Sequence, residues 1–312
     1  MKATFVLAAA LFVALAGFAR ASESDIALKT ATGTIYGTLA LADKLPSPVV
    51  LIIAGSGPTD RNGNGPSIKT DAYKQVAVAL AKRGISSVRY DKRGIAASAT
   101  SMQAESALRF DDYVNDAAAW VTMLSADSRF SRVVIAGHSE GSLIGMIAAQ
   151  RSPATAFVSL EGAGRSAPTV LREQLKPKLP PSLYASADNI LSQLQQGHTV
   201  TETPDVLASL FRPSVQPYLI SWFKYDPAVE IAKLKIPAWV VQGSSDIQIS
   251  MPDALALMKA RPSALLIVVP DMSHPLKRVS DITNQQSAYT DPTLPVMPQV
   301  IDAIYNAAMS VR

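Results

Sequence analysis

The sequence predicts an α/β fold built on a mostly parallel, doubly wound sheet with a helical insertion. Short apolar runs rich in branched residues recur along it, helical stretches of ten or more residues stand between them, and this alternation breaks once, between about residues 165 and 235. With 48% apolar and 17% charged residues, the chain can bury one large α/β core or two smaller ones.

The elements follow in order. Residues 1–21 begin with Met1-Lys2-Ala3, continue in an apolar run from Thr4 to Ala19 and end in Ala19-Arg20-Ala21, the pattern of a cleavable export leader with its cut after Ala21. A membrane anchor is the competing reading, because a run of that length sits at the lower limit for spanning a bilayer. The protein is therefore expected in the periplasm or outside the cell, with no stable membrane insertion after cleavage. Residues 26–41 alternate around Gly33 and Gly37 as an edge hairpin, and Val49 to Ala54 reads as a buried parallel strand. Helix from Thr70 to Arg83, strand from Ile85 to Tyr90, helix from Phe110 to Ser125, strand into Ser139, helix from Leu143 to Arg151 and strand from Ala156 to Leu160 continue the series.

The prolines between residues 165 and 235 separate short helical pieces. Leu191, Leu194, Leu207, Leu210, Phe211, Tyr218, Trp222 and Phe223 make that segment too apolar for a linker, so it is expected to cap the sheet's C-terminal edge. The core resumes with strands at Ala238 to Gln242 and Leu265 to Val269, a helix from Pro252 to Lys259 between them, and a closing helix from about Pro298 to Met309. The expected organisation is a leader over 1–21, a core over 22–164 and 236–312, and a cap over 165–235.

Composition excludes several chemistries. The chain has no cysteine, hence no disulfide, thiol nucleophile or thiolate metal site. Its net charge of +4 includes Lys2 and Arg20 of the leader, and the remaining basic residues are scattered, which speaks against nucleic acid as a partner.

The chemistry concentrates at Gly137-His138-Ser139-Glu140-Gly141, where an apolar strand turns sharply into a helix. In such a turn, side chains two residues before and after the serine would collide, so glycine is needed at both places and the hydroxyl is lifted clear of the sheet. A serine needs a base to take its proton and a third group to hold that base. Of three histidines, His138 is expected to point away from the serine's side and pack or bond locally, and His198 to lie on the surface. His274 follows a buried strand at the C-terminal edge, where the base should stand. Asp246 in Gly243-Ser244-Ser245-Asp246 is the chosen acid. Its rivals are Glu161, expected to be structural at a strand end, and Asp271, expected to shape the loop before His274. Ser139, Asp246, His274 is the nucleophile, acid, base order of the α/β-hydrolase fold.

An oxyanion formed at an attacked carbonyl needs donors already in place. One is the amide of Glu140. The other is expected from Ser56 or Gly57 in the loop Gly55 to Gly65, which lacks the ending of a phosphate-binding loop. Asp60 and Arg61 are expected to form an internal ion pair in that loop, and Asp91-Lys92-Arg93-Gly94 invites the same structural reading.

Gly55-Ser56-Gly57-Pro58-Thr59-Asp60-Arg61-Asn62-Gly63-Asn64, Tyr90 to Gly94, Gly137 to Gly141, Gln242 to Asp246 and Ser273-His274-Pro275-Leu276-Lys277 together resemble the secreted bacterial serine hydrolases of the serine aminopeptidase-like group. Two departures stand out: Ile95-Ala96-Ala97-Ser98 where Gly-x-Ser usually follows Arg-Gly, and Ser273 where Asn usually precedes the histidine. The resemblance implies hydrolysis of acyl esters. The expectation is a serine carboxylic-ester hydrolase acting on small-molecule esters of short to medium acyl chain, with no metal or organic cofactor implied. A serine peptidase or amidase, using Glu140 or Glu161 to hold a substrate ammonium, is the alternative, and a non-catalytic binding module is the remote one.

Overall fold

The computed structural model describes residues 22–102, 104–279, 281–283 and 285–310; the expected leader lies outside them. The hairpin is β1 (Ser22–Thr30) and β2 (Gly33–Leu41), antiparallel at one edge of the sheet. Strand β3 (Ser47–Ile53) follows, then a two-residue ribbon of β4 (Asn64–Gly65) and β5 (Ile68–Lys69), helix α1 (Ala72–Ala81) and β6 (Ser86–Tyr90). Helix α2 (Phe110–Ser125), β7 (Phe130–His138), α3 (Glu140–Gln150) and β8 (Ala156–Leu160) continue the alternation. Helices α4 (Ala167–Leu175), α5 (Pro181–Gln195), α6 (Ala208–Phe211), α7 (Gln216–Trp222) and α8 (Pro227–Ala232) intervene before β9 (Ala238–Gly243), α9 (Met251–Ala260) and β10 (Leu265–Val269). Helices α10 (Gln286–Thr290) and α11 (Pro298–Ser310) close the described chain. No helix among the described residues is long and apolar enough to cross a membrane.

The eight-stranded sheet runs β1-β2-β6-β3-β7-β8-β9-β10, antiparallel at β1-β2 and β2-β6 and parallel from β6 to β10. This is the α/β-hydrolase architecture. Strand alternation divides the core between two faces. Val49, Leu51, Ile53, Val133 and Ile135 pack under α2 and α3, while Val50, Ile52, Val134 and Ala136 pack under α1 and α11. Most of the inserted apolar residues join the first face: Leu191, Leu194 and Phe211 are wholly buried there.

Register positions the site. Ile53 lies beside Gly137, His138 beside Leu160, and Val269 beside Gly243, so the loops after β3, β7, β8, β9 and β10 leave the same edge of the sheet. Ligands of parallel α/β sheets gather beyond that carboxyl edge, where loops and helix N-termini converge.

Candidate active site

The turn from β7 into α3 holds Ser139 at φ 54°, ψ −121°, a left-handed backbone rarely adopted outside glycine. Glycine is required on both sides. A Cβ at Gly137 would stand 2.2 Å from the carbonyl oxygen of Gly141, and one at Gly141 would stand 2.4 Å from that of Ile53. Helix α3 begins at Glu140, three residues earlier than its apolar run suggests, which puts Glu140's amide at the positive end of the helix dipole.

His274 and Asp246 come together behind this turn. Nδ1 of His274 donates to Oδ2 of Asp246 at 2.7 Å, and Oδ1 of Asp246 accepts from the amides of Gln248 and Ile249 at 2.7 and 3.0 Å. Burial alone would raise the Asp246 pKa, but the charge and hydrogen bond of His274 outweigh it and hold the carboxyl below its ordinary range. Since Nδ1 is committed, Nε2 is the ring nitrogen left for proton transfer. Ser139 and His274 line one cavity of about 160 Å³.

Glu161 is not a second ligand of the histidine. Wholly buried, it accepts from the amide of Gly243 at 2.9 Å and lies beside the Asp246 carboxylate. Burial, reinforced by the Asp246 charge, pushes its carboxyl well above the usual range. Asp271 shapes its loop: it sits at φ 59°, its amide donates to Ser244 Oγ and its carboxylate meets Arg278 at 3.1 Å.

His138 packs and hydrogen-bonds as expected, but with partners distant in sequence. Its ring does not point away but packs against that of His274, with centroids 4.7 Å apart. The amide of Gly55 donates to the hydroxyl oxygen of Tyr73 at 3.2 Å, Tyr73 contacts His138 Nδ1 at 2.8 Å, and His138 Nε2 contacts the carbonyl oxygen of His274 at 2.8 Å. An amide can only donate and a carbonyl only accept. Tyr73 therefore gives its proton to Nδ1, and Nε2 carries the proton shared with His274. This requires a neutral imidazole, consistent with a pKa pushed down to about 3 by burial and then by His274. A directed hydrogen-bond chain thus ties the loop after β3 to the backbone of His274. Tyr73 had no distinguishing signal in sequence, since an aromatic on the apolar face of α1 reads as core. His198 is exposed, as expected.

The loop after β3 is held from its other side by Lys92. Almost sealed from water, its Nζ donates to the carbonyl oxygen of Gly55 at 2.6 Å and to Oε2 of Glu140 at 3.2 Å, 4.7 Å from the ring centre of Tyr113. The hydroxyl of Tyr218 on α7 donates to the other Glu140 oxygen. The expected Asp60–Arg61 pair does not form. Asp60 accepts from the amides of Asn62 and Asn64 at 2.8 and 2.9 Å, folding the loop on itself, while Arg61 reaches Asp91 at 2.7 Å and so ties that loop to the end of β6. A short acidic side chain satisfies its own turn more readily than it meets a long neighbour directed across the sheet.

Both sequence departures have structural counterparts. Ala96 adopts φ 44° where the resembling proteins carry glycine, and buried Ser98 accepts from the amide of Tyr36 at 2.9 Å. Ser273 donates to the carbonyl oxygen of Lys277 at 2.9 Å, closing the turn around His274.

A second cleft, of about 70 Å³, lies on the α3 side of Ser139 against Leu143, Val170, Leu171, Trp222 and Ile249. Ser56 and Gln248 border both clefts, whereas Gly57 borders neither. Of the apolar residues that marked the insertion in sequence, only Trp222 lines this cleft; Ala167, Val170, Leu171 and Pro227 add apolar surface from the same segment.

A family model described as serine aminopeptidase, S33, matches residues 65–278. The chain is 27% identical over 245 residues to esterase EstD of Thermotoga maritima, a match spanning 73% of this chain and only 54% of that protein. Among solved structures, Est1E of Butyrivibrio proteoclasticus with ferulic acid bound is similar at a TM-score of 0.58 and 16% identity, covering 90% of this chain and 99% of that one. The Pyrococcus furiosus esterase Pf2001 is similar at a TM-score of 0.52 and 15% identity, covering 80% and 84%. These structural likenesses concern the fold.

Proposed function

The chain belongs to the serine aminopeptidase S33 family, and we propose that within it this protein is a carboxylic-ester hydrolase working through an acyl intermediate on Ser139. One observation carries the reading: a serine held on a left-handed backbone shares a cleft with a histidine whose far nitrogen is bonded to a buried aspartate. The name of the esterase from Thermotoga maritima supports ester over amide. So does the commitment of the two nearby carboxylates, Glu140 to Lys92 and Tyr218, and Glu161 to the Gly243 amide in a wholly buried site that disfavours its charge. An aminopeptidase would need one of them to hold the substrate ammonium.

In this mechanism Ser139 Oγ forms a bond to the ester carbonyl carbon while His274 Nε2 takes its proton. The amides of Glu140 and Ser56 receive the oxyanion; Ser56 is preferred to Gly57 because it borders the reacting clefts. The carbon–oxygen bond to the alcohol breaks and His274 returns the proton to that oxygen. Water then attacks the acyl-serine, giving one proton through His274 back to Ser139, and the acid leaves. Asp246 keeps the ring in its tautomer and stabilises the imidazolium. The substrates are esters of short to medium acyl chain, helices α4–α8 act as the cap, and residues 1–21 direct export.

Hydrolysis of p-nitrophenyl butyrate by the purified protein tests this directly. Ser139→Ala should lower kcat by about 10⁵- to 10⁶-fold and Asp246→Asn by about 10⁴-fold. A wild type no faster than Ser139→Ala, both folded, would sink the proposal.

A further inference from the structure

The two clefts beside Ser139 differ in chemistry as well as size. The smaller is walled by buried Leu143, Val170 and Ile249, with half-buried Leu171 and Trp222. Its one cation, Arg165, is already matched by Asp253 at 2.7 Å and Glu173 at 2.5 Å, so it offers no free charge to a ligand. The larger cleft contains His274 and, besides Ser139 and the Ser56 that borders both clefts, is lined by the hydroxyl residues Thr59, Thr70, Tyr73 and Tyr289. The Tyr73 proton goes to His138. The two threonine protons are spent on the carbonyl oxygens of Ser56 and Gly63, at 3.2 and 2.7 Å. Tyr289 differs, because its oxygen accepts from Gln248 Nε2 at 2.8 Å and its own proton remains to be given. Burial raises its pKa to about 12, so that proton is present throughout the neutral range.

Proton transfer decides which part of an ester goes where. His274 must hand its proton to the leaving oxygen, so the alcohol has to lie on the side that His274 lines. The acyl group then falls on the α3 side, where His274 is not among the lining residues. Resting on the ester reading above, we propose that Ser139 divides its substrate between these clefts: an apolar, compact acyl chain against Leu171 and Trp222, and a larger leaving alcohol bearing a further oxygen that accepts from Tyr289. The preferred substrates are thus small-acid esters of polyol- or ether-type alcohols. A site built to hydrogen-bond such an oxygen rejects the analogue that lacks it, because its polar group is then left without a partner.

Two series test the division. With the leaving group held constant, p-nitrophenyl acetate, butyrate and octanoate report the acyl side. With the acid held constant, 2-methoxyethyl butyrate and its carbon isostere butyl butyrate report the alcohol side, followed by pH-stat. Wild type should favour the methoxyethyl ester by at least fivefold in kcat/KM. Tyr289→Phe should bring that ratio close to one while keeping the acyl-length ranking. Leu171→Trp should lower kcat/KM for octanoate relative to acetate by tenfold or more and keep the alcohol ratio, and Trp222→Leu, which enlarges the same cleft, should shift preference toward octanoate. An alcohol ratio that follows Leu171→Trp or Trp222→Leu, or an acyl ranking that follows Tyr289→Phe, overturns the division while leaving ester hydrolysis standing. Absence of turnover above Ser139→Ala with every ester overturns the ester reading, and the division with it.

Discussion

The edge of the sheet around Ser139 and the inserted helices above it use charge in opposite ways. At the sheet edge Lys92, Glu140, Asp246 and His274 are nearly sealed from water and held by hydrogen bonds from several elements. In the insertion, Arg172 and Asp188 pair at 2.5 Å with 26% and 47% of their side chains exposed, and Arg212 meets Glu105 in a similar setting. Buried charges lose their water on folding and are costly when a partner is removed, whereas exposed pairs are screened and contribute little. The difference suggests that the edge holds geometry and the insertion shapes the pocket by apolar contact.

The sharpest challenge to that contrast is Lys92→Met. It leaves Glu140 buried without its cation and frees the Gly55 carbonyl, so a loss of about 3–5 kcal/mol in unfolding free energy is expected by denaturant titration. Adding Glu140→Gln should recover part of it; a Lys92→Met protein as stable as wild type would remove the distinction between the two regions.

Next in size is Tyr73→Phe, which strips a partner from both the Gly55 amide and His138 Nδ1. A loss of about 1–3 kcal/mol is expected, with kcat falling while KM holds, because the chain positions the oxyanion loop and His274 rather than binding substrate. A rise in KM alone would contradict that role.

Glu161 adds a pH signature. Its folded pKa lies above its unfolded one, so its contribution to stability is full below about pH 4.3 and is lost as pH rises through the folded value. Thermal unfolding of Glu161→Gln, which cannot ionise, should therefore gain on wild type from pH 5 to 8. A gap that stays constant across that range would mean Glu161 is ionised in the fold. The smallest effect belongs to the insertion: Arg212→Ala should change stability by about 1 kcal/mol or less, and a larger loss would give its surface pairs the weight reserved here for buried ones.

Much of the molecule was legible before folding. The predicted limits of Phe110–Ser125, Ala156–Leu160 and Leu265–Val269 are those of α2, β8 and β10, because periodicity and branched residues report local conformation. Burial was read less well: the strand before His274, expected to be buried, is the edge strand β10, with Leu265 and Val268 exposed, because a run of branched residues does not say whether a further strand covers it. Ser139, Asp246 and His274 could be singled out because each sits at the end of a recognisable strand. The partners of Arg61 and His138, and the part played by Tyr73, could not be read. Arg61 joins Asp91 from 30 positions away, and His138 joins Tyr73 from 65; nothing in either segment names its partner.

By itself, then, the sequence determined the order of strands and helices, the glycines that make the Ser139 turn possible, and the short list of residues from which the proposed site is drawn. Those properties are set by neighbours along the chain. Only the tertiary structure decided that Lys92 clamps Gly55 and Glu140, that His138 is neutral and tied to His274, and that two unlike clefts flank Ser139. Each depends on which loops the parallel register brings to one edge, and on burial that leaves a polar group no partner except the one folding supplies.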